Sequence, residues 1–291
     1  VIQRNSSLLA SFIAIAALIG CDRTASKPTD STATGARIVS LSPAATDLLL
    51  AMGAEKDIVG VSTFDSDPRV ANLPRVGDYE NADWERIQAI TPSVMIVQMS
   101  PDRLPSGFVD RAKKLNITLH SAKIDRFTDI IVESDLIGKA AGHEKGAQAM
   151  WKSLRARIDD VQASVASAKP VKTLIVTTAD GLGVAGPETY LDDILGFAGG
   201  VSALPKERSG YTKIDRELML TLAPDAIVQL MPGATQAQID AANDVWKGLP
   251  DVPAVKSGRI YTFTQDWVLM PGSHVADLTE MIAAKLHAEA K

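Results

Sequence analysis

The sequence predicts an α/β chain built as two α/β lobes joined by one long helix. Apolar, β-branched runs alternate with stretches of helical periodicity, the pattern of strands packed against helices. One local motif recurs once in each half of the chain. Between the halves lies a long segment with a single apolar stripe stepping by three or four residues.

The first strand is Arg37-Ile-Val-Ser-Leu41. Ser42 and Pro43 then supply an N-cap and a proline at the first helical position, and Ala44 to Met52 reads as a helix stopped by Gly53. Ile58 to Val61, Val94 to Gln98 and Ile117 to His120 are the next strands. Thr128 to Ala141 forms a helix broken near Gly142. Glu144 to Ser167 forms another of about 24 residues, roughly 36 Å long. Its stripe is Ala147, Met150, Leu154, Ile158, Val161 and Val165, and Pro170 ends it. A second set of strands follows at Lys172 to Thr177, Ala226 to Leu230 and Arg259 to Phe263. Trp151 and Trp246 fall on predicted helices and are expected to pack inside.

The repeat is specific in its chemistry. Asp83-Trp-Glu85 leads through Thr91-Pro92 into Ser-Val-Met-Ile-Val-Gln98, and Asp215-Arg-Glu217 leads through Ala223-Pro224 into Asp-Ala-Ile-Val-Gln229. Each copy reads as a capped short helix, a proline stop and a buried strand.

The first residues carry a different signal. One basic residue, Arg4, precedes an apolar run from Leu8 to Gly20, which has signal-peptide length and falls short of a membrane span. Leu18-Ile19-Gly20-Cys21 matches the bacterial lipobox. Residues 1–20 are therefore expected to be a lipoprotein signal peptide, with Cys21 the lipid attachment site. Asp22 to Ala36 lacks bulky apolar side chains and is expected to be a flexible tether, 21–36 with its lipidated cysteine.

About 255 residues follow, enough for one large domain or two lobes. Cys21 is the single cysteine, so the folded part has neither disulfides nor thiolate metal sites. The net charge of −5 and the scattered basic residues argue against nucleic acid as a partner. The four histidines, His120, His143, His274 and His287, are far apart in sequence, so no metal site is expected, and His143 and His287 read as solvated. Gly181-Leu-Gly183-Val-Ala-Gly186 has dinucleotide-loop spacing, but Pro187 follows and the segment reads as a tight turn between strand and helix. No nucleophile elbow or phosphate loop occurs, and no enzyme activity or resident cofactor is expected.

An ordered set of short motifs resembles a known family. These are Arg37-Ile-Val-Ser-Leu-Ser-Pro-Ala-Ala-Thr-Asp47, Gly53, Ile58-Val-Gly-Val-Ser62, Val76-Gly77 and Glu85-Arg-Ile. Gly186-Pro-Glu188, Gly199-Gly200, Ala223-Pro224-Asp225 and Gly258-Arg-Ile-Tyr261 continue it. The chain resembles the periplasmic binding proteins with a helical backbone, whose members bind cobalamin, ferric siderophores or haem for ABC importers. Ser62 to Pro68 and Gln265-Asp266-Trp267 are most similar to the cobalamin binders.

The resemblance implies an N-terminal lobe at 37–127, connecting helices at 128–169, a C-terminal lobe at 170–291, and a ligand cleft between the lobes. It implies an exported protein, periplasmic or on the outer face of the cytoplasmic membrane, lipid-anchored and monomeric. Its partners would be an ABC permease with its ATPase, and a large chelate or corrinoid. Glu85 and Glu217 would dock on the permease. The cleft belongs at the carboxyl ends of the strands, so ligand contacts are expected from Ser42, Pro43, Phe64, Tyr79, Tyr211, Asp266 and Trp267. Phe64 and Tyr211 can equally anchor their own loops, and Tyr79 can serve as a haem axial ligand. Pro271-Gly272-Ser273-His274 departs from the family's Gly-Pro-Arg, which removes an arginine that would face an anionic ligand, though Arg103, Lys206 and Arg208 can substitute. A ferric-siderophore or haem receptor is the alternative within the family. An exported enzyme or a tethered sensor is the alternative outside it.

Overall fold

The computed structural model describes residues 35–288. The expected signal peptide, Cys21 and the expected tether up to residue 34 lie outside the described residues.

The N-terminal lobe is a four-stranded parallel sheet in the order β2-β1-β3-β4: β1 Ile38–Ser40, β2 Ile58–Gly60, β3 Val94–Val97 and β4 Thr118–Ser121. Its helices are α1 Pro43–Ala51, α2 Trp84–Ile90 and α3 Phe108–Lys114. Burial on both faces makes the inner strands β1 and β3 read as largely apolar runs, whereas the edge strand β4, Thr-Leu-His-Ser, is only partly buried. Ile38, Val94 and Ile96 face the core shared with α1, whereas Val39, Met95 and Val97 face the core that includes Ile87 of α2 and Phe108 of α3.

The connector is α4 Phe127–Ala141 and α5 Glu144–Val165. At 22 residues α5 is slightly shorter than its sequence suggests, because the stripe is buried only through Val161 and the last turn frays beyond Val165. The long helix α5 joins the lobes as the sequence leads one to expect, and α4 contacts both lobes beside it. The Phe127 amide at the start of α4 donates to Asp193 of the C-terminal lobe at 2.9 Å, while its ring packs edge-on to Trp151 and Phe197. At the turn between the helices, His143 Nε2–H donates to Asp57 of the N-terminal lobe at 2.6 Å. The far part of α5 returns to the other lobe, where Arg157 binds Asp277 and Glu280, each at 2.7 Å. Gly146 permits the close crossing of α5 over α1, because a Cβ there would overlap the Met52 carbonyl.

The C-terminal lobe is a six-stranded sheet: β5 Val171–Val176, β6 Gly183–Ala185, β7 Gly200–Ser202, β8 Tyr211–Lys213, β9 Ala226–Leu230 and β10 Ile260–Phe263. Around it lie α6 Tyr190–Phe197, α7 Arg216–Leu222, α8 Gln236–Lys247, α9 Pro253–Lys256 and α10 Val275–Leu286. Its parallel strands β7-β5-β9-β10 repeat the order β2-β1-β3-β4. The antiparallel pair β6 and β8 is extra. The glycine-spaced segment therefore ends the turn after β5 and contains β6 itself, so it leads strand to strand and is not a tight turn between strand and helix as the sequence suggests.

The sequence repeat is also a structural one. Helices α2 and α7 are both seven residues long, and Asp83 and Asp215 cap them by accepting from the Arg86 and Leu218 amides. Both end on a non-glycine residue in the left-handed region, Thr91 at φ 51° and Ala223 at φ 42°. The following prolines, Pro92 and Pro224, cannot continue the helix, and the chain turns directly into β3 and β9.

Candidate functional site

All four N-terminal strands are parallel, so their carboxyl ends share one edge of the sheet. The chain leaves β1 for β2 on one side and β3 on the other, the strand-order reversal where open α/β sheets leave a crevice. Ser42 sits at that point. It occupies the N-cap position of α1, but its hydroxyl donates to Gln98 Oε1 across the crevice at 3.0 Å rather than capping the helix.

A cavity of about 180 Å³ opens between the lobes. Pro43, Thr46 and Asp47 line it from the start of α1, and Asp65, Ser66, Asp67 and Pro68 from the loop after β2. Asp266, Trp267, Met270 and His274 line it from the C-terminal lobe after β10. The Trp267 and His274 rings stack at 4.6 Å with an interplanar angle of 13°. His274 is fixed from both sides, its Nδ1 2.9 Å from Asp277 and its Nε2 3.5 Å from Asp47.

Asp47 ties the lobes together here. Its carboxylate accepts from the Ser273 amide at 2.5 Å and the Ser273 hydroxyl at 2.9 Å. Gly272 is required beside it, because a Cβ there would overlap the Asp47 carboxylate. The network continues through Asp277 to Arg157 of the connector. Burial alone would raise the Asp277 carboxyl, but hydrogen bonds from Arg157 and His274 outweigh it and hold the group below the usual carboxylate range. On the cavity wall, burial pushes the Asp65 carboxyl up to about 6, against hydrogen bonds from Thr46 and the Ser62 amide.

Of the residues the sequence singles out for the ligand, the cavity brings together Pro43, Asp266 and Trp267. Ser42 is buried behind them, at 7% exposure. Phe64 is 67% exposed on the loop that carries Asp65. Tyr79 packs against the core of its own lobe. Tyr211 lies on the edge strand β8 and not in a loop; much of its ring is exposed, yet burial around its hydroxyl pushes the phenol up to about 12. Sequence reasoning missed Thr46, Asp47, Asp65, Asp67, Met270 and His274 as lining residues. The loop carrying Asp65 and Asp67 falls within the motif that resembles the cobalamin binders; Asp47 and His274 also lie in motifs, but nothing in the sequence brings the two together.

The histidines differ from expectation in one respect. His143 and His287 are not solvated: His143 binds Asp57, and His287 Nε2 lies 3.0 Å from the Ala198 carbonyl oxygen. His120 is engaged by Glu133 at 2.8 Å. The described residues contain no group of three or more metal-ligating side chains. Glu85 and Glu217 are both exposed in the first turns of α2 and α7, without an ion-pair partner among the described residues.

Two lobes of repeated topology, tied at a helical connector and enclosing a cavity at their strand ends, define a two-lobed binding protein. Residues 38–267 match the periplasmic binding protein family, and the chain belongs to it. An uncharacterized ABC transporter substrate-binding lipoprotein of Bacillus subtilis, YvrC, is 25% identical over 257 residues, covering 86% of this chain and 80% of that protein. A vitamin B12-binding protein of Vibrio cholerae is 22% identical over 259 residues, covering 86% of this chain and 88% of its own. The solved structure of the periplasmic haem-binding protein HutB of Vibrio cholerae matches in fold with a TM-score of 0.75 at 24% identity, covering 87% of this chain and 99% of that one.

Proposed function

We propose that this protein is the ligand-capturing subunit of an ABC importer, a monomer that binds a corrinoid such as cobalamin and delivers it to a permease. The observation that carries the transport reading is the pair Glu85 and Glu217. Helix electrostatics favours an acidic side chain in any first turn, which accounts for either residue alone. It does not account for two exposed, unpaired glutamates on helices that match in length, cap and exit. They supply one docking charge per lobe. A lipid on Cys21 would confine the protein near its permease and raise their effective concentration.

Support for a corrinoid over ferric haem comes from the available donors. Tyr79 is packed into its lobe, and the Tyr211 phenol is pushed away from the phenolate that ferric iron binds. Each of the four histidine rings is already held by a protein group. Trp267 offers an aromatic wall for a macrocycle edge, and the similarity to a vitamin B12-binding protein spans 86% of the chain.

Two experiments test this reading. Titration of the purified protein with cyanocobalamin, haemin and ferric siderophores, followed by tryptophan fluorescence, should give the tightest binding for the corrinoid; preference for haemin or a siderophore refutes the ligand assignment. The double variant Glu85→Arg/Glu217→Arg should keep ligand affinity within about twofold while uptake collapses. Unchanged uptake refutes the docking role.

A further inference from the structure

We infer that the inter-lobe cavity selects its ligand by peripheral charge, admitting a side arm that ends in an amide and rejecting one that ends in a carboxylate. This rests on the binding reading above and narrows it to the chemistry of the ligand's edge.

A cavity of about 180 Å³ is too small for a whole macrocycle, given that sites for drug-sized ligands start near 300 Å³. What enters it is a side arm, with the ring against Trp267 at the lip. The ionisable lining consists of Asp47, Asp65, Asp67, Asp266 and His274, with no lysine or arginine. An ionised carboxylate only accepts hydrogen bonds, so the lining asks the ligand for donors.

These carboxylates are not equally available. Ser273 occupies both oxygens of Asp47. Arg69 holds Asp67 at 2.7 and 3.0 Å, and the Ser62 amide donates to Asp65 at 2.9 Å. Asp266 is exposed and has no ion-pair partner among the described residues. It is the acceptor left for the ligand. His274 does not offset it, because both ring nitrogens are turned to Asp277 and Asp47.

Cations occur further along the chain, outside the cavity lining. Arg103 and Lys123, after β3 and β4, line a depression together with Asp102 and Asp125, and Lys123 is 2.8 Å from Asp125. Lys206 and Arg208 lie in the turn between β7 and β8, away from the cavity lining. A carboxylate entering the cavity would be partly dehydrated among like charges, with no lysine or arginine in the lining to pair with it. A primary amide presents two N–H donors to the same lining.

The test compares ligands that differ at one group. Cyanocobalamin and its monocarboxylic acids, in which one side-chain amide is hydrolysed, are titrated at pH 7.5 and low salt against wild type and Asp266→Asn. Wild type should bind cyanocobalamin at least tenfold more tightly than at least one of the acids, and Asp266→Asn should shrink that gap severalfold. Equal affinity for cyanocobalamin and every acid, or a gap unchanged in the variant, overturns the inference. If no corrinoid binds, the corrinoid assignment fails by itself. The charge rule is then read from haemin against its neutral dimethyl ester: preference for the ester upholds it, and equal or weaker ester binding overturns it. Failure of every probe sinks both.

Discussion

Removing the carboxylate of Asp47 should loosen the junction between the lobes by a measurable amount. Its side chain is 12% exposed and accepts two hydrogen bonds from Ser273, with His274 Nε2 at 3.5 Å. Hydrogen bonds to a charged group contribute roughly 1.5–3 kcal/mol each, and two on one carboxylate do not add fully. Asp47→Ala should therefore cost about 3 kcal/mol. For a body of this size about 1 kcal/mol corresponds to roughly 2–4 °C in Tm. The expected drop is about 6–12 °C, read by far-UV circular dichroism at pH 7.5. Asp47→Asn retains one acceptor and should fall between wild type and the alanine variant. Ser273→Ala removes only the hydroxyl bond, so a double-mutant cycle with Asp47→Ala should return a coupling of about 1 kcal/mol. A drop below about 2 °C for Asp47→Ala, or no coupling to Ser273, would refute the junction as described.

Asp65 should show the opposite sign. Its folded value of about 6 lies above the ordinary carboxylate value of 3.8, so the folded state holds its proton longer and stability falls as pH rises through that window. Asp65→Asn should therefore be more stable than wild type at pH 7.5, by at most about 3 kcal/mol, with the gain shrinking to below about 1 kcal/mol at pH 4; destabilisation at pH 7.5 refutes the burial argument. Trp246 is buried and its indole N–H donates to Gln229 Oε1 at 2.9 Å. Trp246→Phe leaves that oxygen without its indole partner in the core and should cost about 1–3 kcal/mol in a urea titration; a neutral result refutes the role of that bond. Gly146→Ala should destabilise the chain even though alanine gains about 1 kcal/mol in helix propensity, because the new Cβ meets the Met52 carbonyl. A rise in Tm would show that α5 does not approach α1 so closely.

Much of the scaffold is legible in the sequence because its strands are buried on both faces. Val94 to Val97 is an unbroken apolar run, and Ala226 to Leu230 is one apart from Gln229, so both have few alternative readings. The repeated helices α2 and α7 are legible too, since an aspartate cap, a glutamate two residues later and a proline stop are local signals. The short strands β6, β7 and β8 escaped notice because each has three residues and two of them contain glycine. They exist because β5 offers an edge to pair with. Connector length and stripe were readable, but not which lobe each end touches. Phe127 begins α4 beside α6 only because the chain crosses over after β4.

The sequence by itself determined the class of fold and the repeat with its matched glutamates, since each strand run and each copy of the repeat is a local pattern within about fifteen positions. Only the tertiary structure decided the cavity and the junction. Asp47 and Ser273 are separated by 226 positions, and no periodicity or spacing relates them. Their contact is set by how two sheets lean on a shared connector. That packing also turns scattered aspartates into an acceptor-lined pocket, because charges far apart along the chain interact only once folding has brought them close and removed the water between them.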